Sequence, residues 1–358
     1  MKNFRSLLLL LTVAYCGCTQ APPPTMVEAP PAENLSADPV KIEAAQTEPA
    51  QTEPAKSRRF LFNYKFRVKD LQATGDAEQD LVRVWMPRPR ASEYQTVEPR
   101  TVIAPAEITN GTEARYGNLY RYLQTPIPAS GEFTMELPYQ IERREVRIAA
   151  GSEVPVAMKE TERGQFLGAD KLVPTSGKSL ELIKTVKLSA EPLALARQLY
   201  DAVDNHVVYK KEGTGWGRGD TNWVCESGYG NCTDFHSLFI SLARSQGIPA
   251  RFEIGFSIPT DKQEGPIVGY HCWAWFHVKD KGWLPVDISE ADKHPELKEY
   301  YFGNLTADRV TFSVGRDLEL SPSPANAPLN FFVYPHIEVG GKVLPKENVE
   351  LQFSFEEK

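Results

Sequence analysis

Phe60, Phe62, Tyr64, Phe66 and Val68 alternate with Asn63, Lys65 and Arg67, the period of two expected of a strand with one buried face. Patterns of the same kind run over 81–86, 116–123 and 133–141, separated by turn-forming pieces such as Pro87-Arg88-Pro89 and Asn110-Gly111. Short strands in succession, with no helical stretch between them, predict a β-sandwich-like domain over residues 58–150.

The period then changes. Leu193, Ala196, Tyr200, Val203 and Val207 recur every three or four residues, with Ser189 as the expected cap, and predict a helix that opens a second region over 151–358. Beyond residue 250 the pattern returns to strands, and Gly340-Gly341 between 331–339 and 343–355 predicts a hairpin turn. The second region is therefore expected to combine helix and strand, with a β-rich C-terminal extension.

Ahead of residue 58 the composition differs from the rest. Lys2 and Arg5 precede an apolar run from Leu7 to Ala14, too short to span a bilayer, and Gly17-Cys18 follows. A small residue before a cysteine at the end of such a run resembles the lipobox of bacterial lipoproteins. The resemblance implies a signal peptide over 1–17, a lipid on Cys18, and a protein exported to the cell envelope and anchored to a membrane. Residues 19–59 hold eight of the 28 prolines and no Phe, Tyr or Trp, so residues 18–57 read as a tether that buries too little apolar surface to fold. The net charge of −7, with no basic run, excludes a nucleic-acid partner.

With Cys16 and Cys18 spent at the export signal, three of the five cysteines remain: Cys225, Cys232 and Cys272. An odd number leaves at least one thiol unpaired in an oxidising compartment. Phe235, Leu238, Phe239 and Leu242 form one apolar stripe, closed by Gly247 and Pro249, which sets Cys232 in the first turn of a buried helix. The free N–H groups and positive dipole end there favour a thiolate. Residues 269–278 and 283–287 read as paired strands around a turn at 279–282. Matching their apolar faces pairs Phe276 with Leu284 and Ala274 with Val286, with an odd-length loop or a bulge between them, and puts His271 and Asp287 on one face.

A thiol, an imidazole and a carboxylate in that chain order form a nucleophile, a base and an orienter. The blocks Gly230-Asn231-Cys232, 243–251, His271-Cys272-Trp273-Ala274 and Gly282-Trp283-Leu284-Pro285-Val286-Asp287 resemble the transglutaminase-like superfamily. That resemblance implies an α+β, papain-like core, in which a helix bearing Cys232 packs on an antiparallel sheet bearing His271 and Asp287. It also implies a cysteine-dependent acyl-transfer enzyme acting on protein or peptide substrates, without cofactor. Members range from cross-linking transglutaminases to proteases, so fold carries over more safely than substrate. Hydrolysis of amide bonds is preferred because no sequence feature marks a tunnel for an acceptor lysine; protein cross-linking is the alternative, and a non-catalytic binding or scaffolding module is the reading from another class.

Other residues compete for roles. His236, one turn after Cys232, is an alternative base, although a helical His at that spacing is more commonly a core residue. Cys225, Cys232, His236, His271 and Cys272 do not have a familiar zinc spacing, and no calcium loop pattern occurs. Trp216, Trp223 and Asn231 are candidates for a second oxyanion donor beside the Cys232 amide, with no spacing rule to choose among them. The tryptophans at 273, 275 and 283 fit either packing or a cleft wall.

Overall fold

A computed structural model describes residues 55–147 and 158–358; the signal peptide, Cys18 and nearly all of the tether lie outside the described residues. The alternating segment forms β1 (Ser57–Val68), whose Phe60, Phe62, Tyr64, Phe66 and Val68 are all buried. It is followed by β2 (Leu81–Pro87), β3 (Gln95–Pro99), β4 (Thr109–Thr112), β5 (Leu119–Pro126) and β6 (Phe133–Arg144). Asn110-Gly111, expected in a turn, lies in edge strand β4, where a side chain at 111 would overlap the Tyr120 ring of β5. The glycine is there for that close approach rather than for a turn.

Helix α1 (Glu160–Leu167) leads to α2 (Pro192–His206), which buries Ala196, Leu199, Tyr200 and Val203. Its cap is Glu191, whose carboxylate accepts from the amides of Leu193 and Ala194, with Pro192 next; Ser189 lies further out and bonds the Glu191 amide. Proline at the first helical position fixes this start, because it has no amide to cap. The short strand β7 (Val208–Tyr209) pairs in parallel with β8 (Tyr229–Gly230), and between them lies α3 (Thr221–Ser227).

The central unit is α4 (Cys232–Ser245) against a four-stranded antiparallel sheet in the order β12 (Gly282–Val286), β11 (Tyr270–Val278), β9 (Ala250–Ser257), β13 (Arg309–Val314). Phe239 of α4 meets Phe276 of β11 edge-on. Strand β10 (Glu264–Ile267) joins a different sheet, α5 (Ile288–Lys293) follows β12, and β14 (His336–Val339), β15 (Lys342–Val343) and β16 (Val349–Glu357) end the chain. The fold is α+β, with mostly antiparallel sheets and few helices, as the resemblance implied.

Gly340 and Gly341, both at positive φ, close the β14–β15 hairpin, but its arms are short. Pro335 and Pro345 bound them, and β16 leaves to pair with β1. The strands of 58–150 are shared between two five-stranded sheets, β10-β16-β1-β6-β3 and β15-β14-β2-β5-β4. Each sheet thus draws strands from both sides of residue 150, and the described residues belong to one compact unit. No helix among the described residues is long and apolar enough to cross a membrane.

Candidate active site

Asn231 caps α4: its Oδ1 accepts from the Thr233 amide at 2.9 Å, while Asp234 Oδ2 accepts from the Asn231 amide at 2.9 Å. This reciprocal box holds the first turn. Asp234 also receives the amides of Gly217 at 2.7 Å and Gly219 at 3.0 Å, which tie down the loop 213–219. Glycines at 213, 215, 217 and 219 all have positive φ. Cys232 follows the cap directly and is 2% exposed.

The hairpin register places the partners. Val278 pairs with Gly282, Phe276 with Leu284 and Ala274 with Val286, around the three-residue loop 279–281, as the facing pattern required. Asp287 lies at the end of β12 and caps α5, its Oδ1 accepting from the Glu290 amide at 3.3 Å and the Ser289 hydroxyl at 3.2 Å. Its other oxygen, Oδ2, bonds His271 Nε2 at 2.8 Å. That leaves Nδ1 as the ring nitrogen not held by Asp287, and Cys232 lies near enough for thiol and imidazole to shift each other's proton affinity. The structure therefore brings Cys232, His271 and Asp287 together in one buried row.

Burial alone would favour neutral groups, but mutual attraction overrides it. At Cys232 the burial penalty is outweighed by hydrogen bonds from Cys272 and His271 and by the imidazolium charge, so the thiol is held well below its ordinary range. The His271 imidazole, opposed by burial and favoured by Asp287 and Cys232, is pushed up to about 9. Asp287, despite complete burial, is held far below the usual carboxylate range by His271 and Arg309. These shifts favour a thiolate beside an imidazolium, the pairing in which a nucleophile is already deprotonated and an acid already loaded.

His236 is engaged elsewhere. It is fully buried, its Nε2 accepts from the Ile288 amide at 3.0 Å, and burial lowers it to about 4. A neutral ring fixed by a backbone amide joins α4 to α5. Cys272 faces the α4 side of β11, with its sulfur 3.8 Å from His236 Nδ1 and 3.7 Å from Thr233 Oγ1. Burial and the neighbouring Cys232 charge push that thiol well up. Cys225, in α3, is likewise pushed up, to about 11, by burial. Among the described residues, no group of three His, Cys, Asp or Glu is arranged to hold a metal ion.

Of the candidate oxyanion donors, Asn231 is committed elsewhere, since its Nδ2 bonds Tyr270 Oη at 2.8 Å. Trp223 packs edge-on against Tyr229. Trp273 and Trp275 are buried beside Val146 and Leu305.

Residues 182–288 match the family model of the transglutaminase-like superfamily. The protein carries a transglutaminase-like core. An uncharacterised protein of Haemophilus influenzae is 31% identical over 220 residues, covering 51% of this chain and 60% of that relative's length. A solved structure described as a "putative cysteine protease" from Cytophaga hutchinsonii superposes with a TM-score of 0.52 at 14% identity, covering 86% of this chain and 99% of its own. At that identity the likeness is one of fold. The periplasmic domain of TgpA from Pseudomonas aeruginosa overlaps more loosely, with a TM-score of 0.34 at 16% identity over 66% of this chain and 90% of that one.

The transglutaminase-like core is of the kind found in cysteine-dependent enzymes, and its matched span contains Cys232, His271 and Asp287. It ends at residue 288, before a residue that the sequence reading did not single out. Arg309 of β13 is buried and donates to Asp287 Oδ2 from Nε at 3.1 Å and Nη2 at 2.9 Å. The available signal was slight: Arg309 directly precedes the alternating apolar positions Val310, Phe312 and Val314, and that alternation says nothing of whether its own face is buried. Tyr270 was also passed over, although it precedes His271 and its hydroxyl meets both Asn231 and Thr233 at the start of α4.

Proposed function

We propose that this is an exported, Cys18-anchored, cysteine-dependent acyl-transfer enzyme that hydrolyses amide bonds in peptides or proteins. The observation that supports it is the His271–Asp287 hydrogen bond beside the Cys232 thiol, in a setting that favours thiolate and imidazolium. The export part rests on the charged, apolar and Gly17-Cys18 pattern of the first residues.

The Cys232 thiolate attacks the amide carbonyl carbon, a carbon–sulfur bond forms, and the carbonyl pair moves to oxygen near the Cys232 amide. First-turn amides of a helix have no intrahelical acceptor, which leaves that donor for the oxyanion. As the tetrahedral species collapses, the carbon–nitrogen bond breaks and His271 Nδ1 gives its proton to the leaving amine. The neutral imidazole then takes a proton from water, whose oxygen attacks the thioester; the carbon–sulfur bond breaks, and the acid departs as the thiolate and imidazolium are restored. Asp287 stays ionised throughout and holds the ring by Nε2.

The test presents a glutamine-containing protein with a labelled primary amine, in parallel with casein-like and muropeptide substrates. New termini that disappear in Cys232→Ala support hydrolysis. Incorporation of the amine without cleavage replaces it with cross-linking, and inactivity of the wild-type chain on all of them favours a binding module.

A further inference from the structure

On the face of the β9–β11 sheet turned away from α4 lies a cavity of about 500 Å³, within the range of ligand-binding pockets. It is walled by the sheet, by β6, by α1 and by the segment 90–94, and it contains none of Cys232, His271 and Asp287. Arg143 enters it from β6 and is 1% exposed, yet its Nε and Nη2 have no hydrogen-bond partner. Arg251 Nε and Trp275 Nε1, also in the lining, are equally unpartnered. Native interiors rarely leave so many donors open in one place, because each unpaired group has lost its water without replacement.

The neighbouring carboxylates do not satisfy these donors. Glu253 is engaged at both oxygens: Oε1 with Arg251 Nη2 at 3.0 Å, and Oε2 with Trp273 Nε1 at 3.1 Å and Thr311 Oγ1 at 3.3 Å. Four arginines, at 90, 115, 143 and 251, line the cavity against three glutamates, at 93, 162 and 253, which leaves one positive charge in excess. A single negative charge balances it; a dianion would overshoot. Tyr94 stacks on Trp275 at 6.2 Å, and the Arg251 guanidinium lies over the same indole at 5.1 Å, so an apolar wall adjoins the open donors.

We infer that this cavity binds a carboxylate-bearing molecule, its oxygens held by Arg143 and Arg251 and its apolar part laid against Trp275 and Tyr94. A planar carboxylate accepts two parallel N–H bonds from a guanidinium, and the Trp275 indole supplies a further donor. Both a small free acid and the C-terminus of a short peptide carry this chemistry.

The test is thermal unfolding of the full chain with N-acetylphenylalanine, a tripeptide acid, the amides of both, and inorganic phosphate. Each acid well above its Kd should raise Tm by about 3 °C or more, and the amides should not. The better acid names the source. Arg143→Met should melt higher than wild type without ligand, since an uncompensated buried charge is gone, and lose the response to acids. Cys232→Ala should respond as wild type does, which separates this site from the proposed catalysis. Equal shifts with acid and amide, a larger shift with phosphate, no shift at all, or an unchanged response in Arg143→Met would overturn the inference. The comparison of acid with amide stands on wild type alone if the variant fails to fold.

Discussion

Arg309 donates twice to a single oxygen of Asp287, the oxygen that also receives the His271 imidazole. The guanidinium is buried, bonds Asp308 at 2.7 Å and lies 3.6 Å from Glu290. Three carboxylates therefore share one cation, which adds to the larger effect of His271 in keeping Asp287 ionised.

Arg309→Met should cost about 3–5 kcal/mol of stability, the usual consequence of leaving a buried charge without its partner. Urea unfolding measures it, and a loss below about 1 kcal/mol would mean that the network contributes little. Arg309 also acts as a positioning residue. With the cation gone, Asp287 should protonate at higher pH, and the acid limb of the activity profile should move upward, a change that mere destabilisation does not produce.

Activity against pH should be bell-shaped. The acid limb should lie well below the ordinary thiol range, because the Cys232 thiolate persists there, and the alkaline limb should fall near 9 as His271 loses the proton needed by the leaving amine. Stability follows the same groups. Asp287, held low, contributes above about pH 4 and that contribution is lost on acidification; His271, held high, contributes below about pH 6.5 and that is lost as the pH rises through about 9. Initial rates and urea midpoints across pH check both; an alkaline limb near 6.5 would contradict the ion pair.

Iodoacetamide at mildly acidic pH should modify Cys232 ahead of Cys225 and Cys272, both of which are pushed toward the neutral thiol. His271→Ala should slow that reaction by removing the imidazolium. Peptide mapping reads the order, and three thiols reacting at similar rates, indifferent to the histidine change, would leave Cys232 a structural residue.

Tyr270→Phe should cost about 1–3 kcal/mol, since it strips the partner from Asn231 Nδ2 and from Thr233 at the start of α4. The reactivity of Cys232 should survive, because its proton chemistry runs through His271. Chemical denaturation and alkylation rates separate the two effects.

The facing pattern of 269–278 and 283–287 determined the hairpin register because one slipped residue would send Leu284 and Val286 away from the apolar face beneath α4. Cys232 at a helix start was equally legible, from a stripe closed by Gly247. Arg309 was not, since nothing local says which carboxylate a buried cation will meet. The same limit applied to β16: its apolar residues identify a strand, but its pairing with β1 depends on closing most of the chain. The start of α2 was displaced from Ser189 to Glu191 by Pro192, a local signal that the apolar spacing overshadowed.

That last pairing bears on how the protein is made. Phe60 lies opposite Glu357, so a polypeptide that emerges N-terminus first presents one of its earliest strands long before the neighbour that covers it exists. Until then a long apolar strand has an open edge, the kind of surface that invites pairing with other chains. The sheet is thus completed only once residues 349–357 have been made, and a product cut short before 349 would be left with that edge unpaired, a target for aggregation or proteolytic disposal.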